Sequence, residues 1–307
     1  MKPTVVLTAA FPRVARDLLA GDFEVVEHAT EQARTEDDLI LILAEAEAAI
    51  TLLSDPLTRR VLSSNPNLAI VANFAVGYNN IDIDAARELG IVVTNTPGVL
   101  TEATADLTMA LMLSVMRRVV EGDAEVRRTG RCEWEPLKLL GASLQGTRLG
   151  IIGRGRIGSA VATRSAAFGM DVVHHSRSGG LPLEELLETS DVVSLHLPLS
   201  AATRHMIDAR ALARMKRGSY LINTSRGPLV DESALCAALE SGHLRGAALD
   251  VYEHEPDVHP RLLSRSDVVI VPHIGSATEE ARNGMATIAA TEIVRFFRRL
   301  PPLHPVT

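Results

Sequence analysis

Lysine is nearly missing from this 307-residue chain: Lys2, Lys138 and Lys216 are the only three, and the rest of the basic charge is arginine. That reads as codon bias rather than mechanism. There is no block of basic residues, and the net charge is −7, so nucleic acid is not an expected partner. Cysteine is equally scarce. Cys132 and Cys236 lie far apart, which argues against a disulfide framework or a zinc site, and no metal is expected. No apolar run reaches the roughly 18 residues that a membrane helix needs. The opening "MKPTVVLTAAF" has no signal-peptide cleavage pattern, so a soluble cytoplasmic protein is the expectation. What the chain does hold is 46% hydrophobic residues over a length sufficient for two cores.

Short β-rich runs alternate with amphipathic stretches through the first hundred residues. Strands are predicted at 4–9, 23–28, 48–53, 68–76 and 91–96, and a helix at "TEDDLILILAEA" (35–46), whose threonine suits the N-cap and whose early acids suit the dipole. After "TPGVL" (96–100) comes a continuous helical run, 101–130. A second series of strands follows at 148–153, 171–176, 192–197, 220–225, 246–251 and 268–274, and then a last helix, 277–300. This alternation predicts an α/β fold of parallel, doubly wound sheets. Neither a solenoid repeat nor a low-complexity tract is present.

Gly153-Arg154-Gly155-Arg156-Ile157-Gly158 forms G-x-G-x-x-G between an apolar strand and a helical stretch. Gly153 suits a tight turn, Gly155 a close approach of backbone to pyrophosphate, and Gly158 close packing of helix on strand. The helix N-terminus then faces an anion. Strand, motif, helix and strand within about 30 residues indicate a dinucleotide site. An NAD site carries a carboxylate at the tip of the second strand for the ribose diol. Here the tip is Ser176, Arg177, Ser178. A carboxylate would repel a 2′-phosphate, whereas a hydroxyl and a guanidinium both bond it. Charge-assisted bonds contribute roughly 1.5–3 kcal/mol each, so NADP(H) is the expected cofactor, with NAD(H) possible.

Further motifs stand in order along the chain: "VGYNNIDIDAA" (76–86), "TNTPGVLTEATADL" (94–107), "GIIGRGRIG" (150–158), "LINTSRGPLVDE" (221–232), "ALDVYEHEP" (248–256) and "PHIGSAT" (272–278). Over almost its whole length the sequence resembles the D-isomer-specific 2-hydroxyacid dehydrogenase family, in particular its glyoxylate/hydroxypyruvate reductase branch. The resemblance implies a Rossmann coenzyme domain, 98–276, inserted into a flavodoxin-like substrate domain made of 1–97 and 277–307. It also implies a homodimer formed through the helix 101–130.

The family's catalytic arginine, glutamate and histidine fall on Arg226, Glu255 and His273. Reducing a 2-keto acid takes a hydride from nicotinamide and a proton on the carbonyl oxygen. His273 would give that proton, Glu255 would fix its tautomer, and Arg226 would hold a carboxylate and polarise the carbonyl. Glu253 is a local rival to Glu255, and Asp231 and Glu232 read as helix-start residues. Val76 and Gly77 resemble the family's N–H cradle for the substrate carboxylate, and Leu53 and Ser54 a loop lining the pocket. Thr104, Pro198, Thr203, Thr224, Asp250 and Gly275 match further cofactor contacts, Asp250 at the carboxamide. Trp134, the single tryptophan, aligns with a residue that enters the partner subunit's substrate site, although a lone tryptophan is more often core.

Three departures from the family stand out. Arg154 replaces a leucine, Asn79 replaces an aspartate, and the segment after Ser178 is about a dozen residues shorter than usual. The competing functions are an NAD-linked D-lactate or D-3-phosphoglycerate dehydrogenase and, of another class, a nucleotide-sensing protein like the family's corepressors.

Overall fold

The computed structural model describes residues 2–29 and 34–307, which divide into two compact units. The first comprises residues 1–100 and 277–307, and the second residues 101–276.

In the first unit, β1 (Thr4–Leu7), β2 (Glu24–Glu27), β3 (Ala48–Thr51), β4 (Ile70–Asn73) and β5 (Val92–Thr94) form a parallel sheet in the order 2-1-3-4-5. β3 and β4 are buried at every position, which is why they read as unbroken apolar runs rather than alternating ones. The helix Glu36–Ile42 starts where its chemistry dictates. The Thr35 hydroxyl accepts the Asp38 N–H at 3.2 Å, the Asp38 carboxylate accepts the Thr35 N–H at 2.9 Å, and three acids fill the first turn. The last helix, Glu279–Phe297, is capped by Thr278 and packs on β4, β3 and the helix Arg13–Leu19.

The second unit holds a seven-stranded sheet built from β6 (Arg148–Ile152), β7 (Asp171–Ser176), β8 (Gly179–Gly180), β9 (Val192–Leu195), β10 (Ser219–Asn223), β11 (Leu244–Leu249) and β12 (Val268–Ile270). Its order is 12-11-10-9-6-7-8, parallel throughout except for β8. One core centres on Leu195, Leu221, Leu235 and Leu249, and a second gathers Met112, Leu149, Ile151 and Ile222. Helix Thr101–Met116 packs against β10, β11 and β12 as well as the helix Arg156–Ala167, which explains its broad apolar surface.

The expected continuous helix 101–130 is corrected. It breaks after Met116 and resumes at Val119–Thr129, with Arg118 left-handed at φ 55°. The Ala142 N–H donates to the Met116 carbonyl at 2.8 Å, and a Cβ on Gly141 would sit 2.3 Å from that oxygen. A distant segment thus takes the carbonyl that a continuing helix would use. β8 is a further departure from the sequence reading, since two glycines carry no strand period.

Candidate active site

Because β6, β7, β9, β10, β11 and β12 run parallel, the segments leaving their C-terminal ends share one edge of the sheet, where an open α/β sheet presents ligands. On that edge stand the glycine turn after β6, the tip of β7, Pro198 and Thr203 after β9, Arg226 after β10, Asp250 and Glu255 after β11, and His273 after β12.

Three glycines shape the turn in three ways. Gly153 has φ +95°, and a Cβ there would lie 2.4 Å from the His196 carbonyl oxygen. At Gly158 a Cβ would lie 2.1 Å from the Gly153 oxygen, so the helix Arg156–Ala167 closes directly on the strand. A Cβ on Gly155, by contrast, would meet nothing within 4 Å. The open space lies over Gly155 at the start of a 12-residue helix without an acid in its first turn. Backbone donors, a positive helix end and the exposed Arg156 fit a pyrophosphate there; Arg154 is exposed beside them and Ile157 is half-buried behind them.

β7 ends in a tight hairpin. Ser176 pairs with Gly179 and His175 with Gly180, leaving Arg177 and Ser178 exposed at the tip. Only glycine fits at position 180, where φ is +101° and a Cβ would lie 2.1 Å from the His174 oxygen. The Ser176 hydroxyl donates to the Gly179 carbonyl at 3.0 Å and lies 3.1 Å from the Ser178 hydroxyl. That bond ties the Ser176 side chain into the turn, with Arg177 and Ser178 standing beside it. No carboxylate occupies the tip.

Farther along the edge, the Asn223 side chain organises the turn that carries Arg226. Its Oδ1 accepts the Ser225 N–H at 3.0 Å and its Nδ2 donates to the Arg226 carbonyl at 2.9 Å, while the Ser225 hydroxyl donates to the Leu197 carbonyl. These positioning roles went unread in the sequence, although an Asn-Thr-Ser run at a strand end is a recognisable turn signal. A Cβ on Gly227 would overlap the Tyr252 carbonyl, so the arginine loop passes tightly against the Glu255 loop. Burial pushes the Arg226 guanidinium down and the Glu255 charge supports it.

Glu255 Oε2 lies 3.0 Å from His273 Nδ1. Partial burial pushes the Glu255 carboxyl up. The hydrogen bond and charge of His273, the Tyr252 N–H at 3.0 Å and Arg226 outweigh it, and the carboxyl is held below its ordinary value. Glu253 points elsewhere: its Oε1 meets His205 Nε2 at 2.5 Å, and its Oε2 accepts the Glu232 N–H at 3.2 Å. Asp231 caps the helix Glu232–Glu240. His273 has φ 53°, a strained backbone that persists when its surroundings over-determine it. Asp250 supplies that restraint by accepting the Ile274 and Gly275 N–H groups at 2.6 and 2.8 Å. Burial pushes the Asp250 carboxyl up, against those two donors and the His273 charge.

Among the other sequence candidates, the Thr104 hydroxyl donates to the Gly275 carbonyl at 3.0 Å, Thr224 meets Thr108 at 2.9 Å, and Thr203 donates to the Pro198 carbonyl at 2.9 Å. Trp134 is 85% exposed, which removes the core reading. In the first unit, Leu53 and Ser54 lie in the turn after β3. The Val76 carbonyl accepts from Asn95 and the Gly77 carbonyl from Asn73. Their N–H groups have no partner among the described residues, so this turn offers donors and not acceptors.

Residues 109–275 match the model for the D-isomer specific 2-hydroxyacid dehydrogenase NAD binding domain. The chain belongs to the D-isomer specific 2-hydroxyacid dehydrogenase family. It is 44% identical to a glyoxylate reductase of Thermococcus litoralis over 318 aligned positions, covering 98% of this chain and 96% of that protein. A crystal structure of a Thermus thermophilus protein superposes with a TM-score of 0.94 at 43% identity, covering 99% and 100% of the two chains. The NADPH-dependent glyoxylate/hydroxypyruvate reductase of Sinorhizobium meliloti, solved with NADP and malonate, gives 0.86 at 33% identity, with 100% and 97% covered. Family members of this kind are nicotinamide-dependent oxidoreductases.

Proposed function

We propose that this dehydrogenase reduces small 2-keto acids, glyoxylate and hydroxypyruvate first among them, to D-2-hydroxy acids, preferring NADPH to NADH. The observation that carries the reaction is the Glu255–His273 pair beside Arg226, on the same sheet edge as an open glycine turn. The bound nicotinamide supplies the hydride. An ionised Glu255 only accepts hydrogen bonds, so Nδ1 of His273 carries the proton and Nε2 is the nitrogen left to serve the substrate. Protonated there, His273 donates to the carbonyl oxygen as hydride arrives and takes the proton back in oxidation. Arg226, charged and loop-anchored, provides a planar fork for carboxylate and carbonyl oxygen. The free N–H groups at Val76 and Gly77 suit a carboxylate as well.

The NADPH preference is supported by the absent acid at the β7 tip and by Arg177 and Ser178 standing exposed there. A homodimer is supported by helix Val119–Thr129, which buries none of its residues, and by the adjoining arm, where Trp134 and Leu137 are 85% and 81% exposed. Several large apolar side chains left exposed on one segment suit an interaction site.

Steady-state kinetics on glyoxylate, hydroxypyruvate, pyruvate and 3-phosphohydroxypyruvate, with NADPH and NADH in parallel, test this reading. The expected outcome is highest kcat/KM for glyoxylate or hydroxypyruvate with NADPH. Preference for pyruvate or the phosphorylated acid with NADH would reassign the enzyme. Tight NADPH binding with no keto-acid turnover would favour a sensor.

A further inference from the structure

Three arginines gather around the β6–β7 edge: Arg154, Arg156 and Arg177, all exposed. None has a carboxylate partner among the described residues. Their neighbours do: Arg148 on β6 pairs with Asp171, and Arg164 on the following helix pairs with Glu102 and Asp106. Arg156 opens the helix at the pyrophosphate cradle and Arg177 stands at the hairpin tip. Arg154, the residue that departs from the family pattern, is the one without an evident role.

Its Nη1 lies 3.2 Å from His174 Nδ1. Partial burial, then the charges of Arg154 and His175, hold the His174 imidazole below its ordinary value. An arginine only donates, so Nδ1 of His174 accepts this bond. A neutral partner engages one of five guanidinium donors and leaves the positive charge uncompensated. Residues two apart on a strand face the same side, so Ser176 lies about 7 Å beyond His174 on the face that Arg154 covers. The Ser176 hydroxyl bonds Gly179, which leaves Arg177 and Ser178 as the donors that the tip itself presents. Beside Arg154 lies a groove of about 310 Å³ lined by Ile151, Ser159, Ala162, Thr163, Val172 and His174.

We propose that Arg154 is a specificity-determining residue that closes on the ribose 2′-phosphate of NADP(H) from the glycine-turn side, opposite Arg177 on the hairpin. The assignment rests on the NADPH preference proposed above. Two planar forks on one phosphate dianion then join the serine–arginine pair that the sequence suggested.

Calorimetric titration of the full-length wild type, R154L and R177A with NADPH, NADH, adenosine 2′,5′-bisphosphate and 5′-AMP tests this without turnover. R154L is expected to weaken NADPH and the bisphosphate at least ten-fold while NADH and 5′-AMP stay within two-fold. R154K, charged but without the fork, should fall between. Equal weakening of all four ligands would assign Arg154 to the pyrophosphate side and overturn the proposal, and unchanged affinities would overturn it too. The two readings separate cleanly. Wild type binding NADH as tightly as NADPH removes the cofactor preference and this proposal together. A wild-type preference abolished in R177A but intact in R154L removes Arg154 alone.

Discussion

Glu255 and His273 stand 18 residues apart in the chain, and the fold sets Oε2 of one 3.0 Å from Nδ1 of the other. The contact links the loops after two adjacent strands, β11 and β12, so its geometry is inherited from a parallel ladder rather than from flexible segments. Asp250, one residue beyond β11, holds the turn that follows His273 from the same side.

Glu255, held ionised, accepts the Nδ1 proton of His273 and leaves Nε2 to face the substrate. H273A is expected to lower kcat by on the order of 10²-fold or more. E255Q keeps the shape and removes the charge, so kcat should fall while the KM for cofactor stays close to wild type. A kcat for E255Q equal to wild type would separate Glu255 from the proton-donating step.

The glycine turn makes a sharper contrast. G155A adds a methyl that meets no protein atom, so its thermal midpoint should match wild type while the KM for cofactor rises, by about ten-fold or more for a lost 1.4 kcal/mol. G153A forces a Cβ onto the His196 carbonyl at a left-handed φ and should lower the midpoint itself. If G155A unfolded early and bound cofactor normally, the open space over Gly155 would not be the pyrophosphate cradle.

Much of this site was legible in sequence because its parts are local. Gly153 to Gly158, the Thr35 cap with its acids, and the strand runs around Ile50, Ile151 and Leu221 each announce themselves within a few residues. What stayed hidden depends on contacts across the chain. Nothing near Arg118 signals a helix break, since the cause is the Ala142 N–H some 24 residues later. Ser176 reads as a free hydroxyl until Gly179 and Gly180 fold back onto it. Glu253 and Glu255 look alike in "YEHEP"; the family resemblance points to Glu255, and the distances to His205 and His273 supply the physical reason.

Helix Val119–Thr129 has no core of its own, because Val119, Val120 and Val126 are all about half exposed. Placing aspartate at Val120 and Leu137 should shift the sedimentation of the protein from dimer to monomer. Wild type already sedimenting as a monomer would refute the homodimer, whatever the variant does.

Glu232 is the group whose ionisation should be felt in stability. It is 4% exposed at the start of its helix, and its Oε1 accepts the Glu253 N–H at 2.8 Å, two residues before Glu255. Burial pushes its carboxyl up, the Glu253 N–H pulls it down, and the Glu253 charge pushes it up again, for a net rise. An acid with a raised folded pKa contributes its stability below the unfolded value of about 4.3 and loses it as pH rises through the folded value. E232Q retains an acceptor for Glu253 and does not titrate. Its thermal midpoint relative to wild type should therefore climb between pH 4.5 and pH 7.5. A difference that stays flat across that interval would mean that the Glu232 charge is solvated and imposes no penalty on the fold.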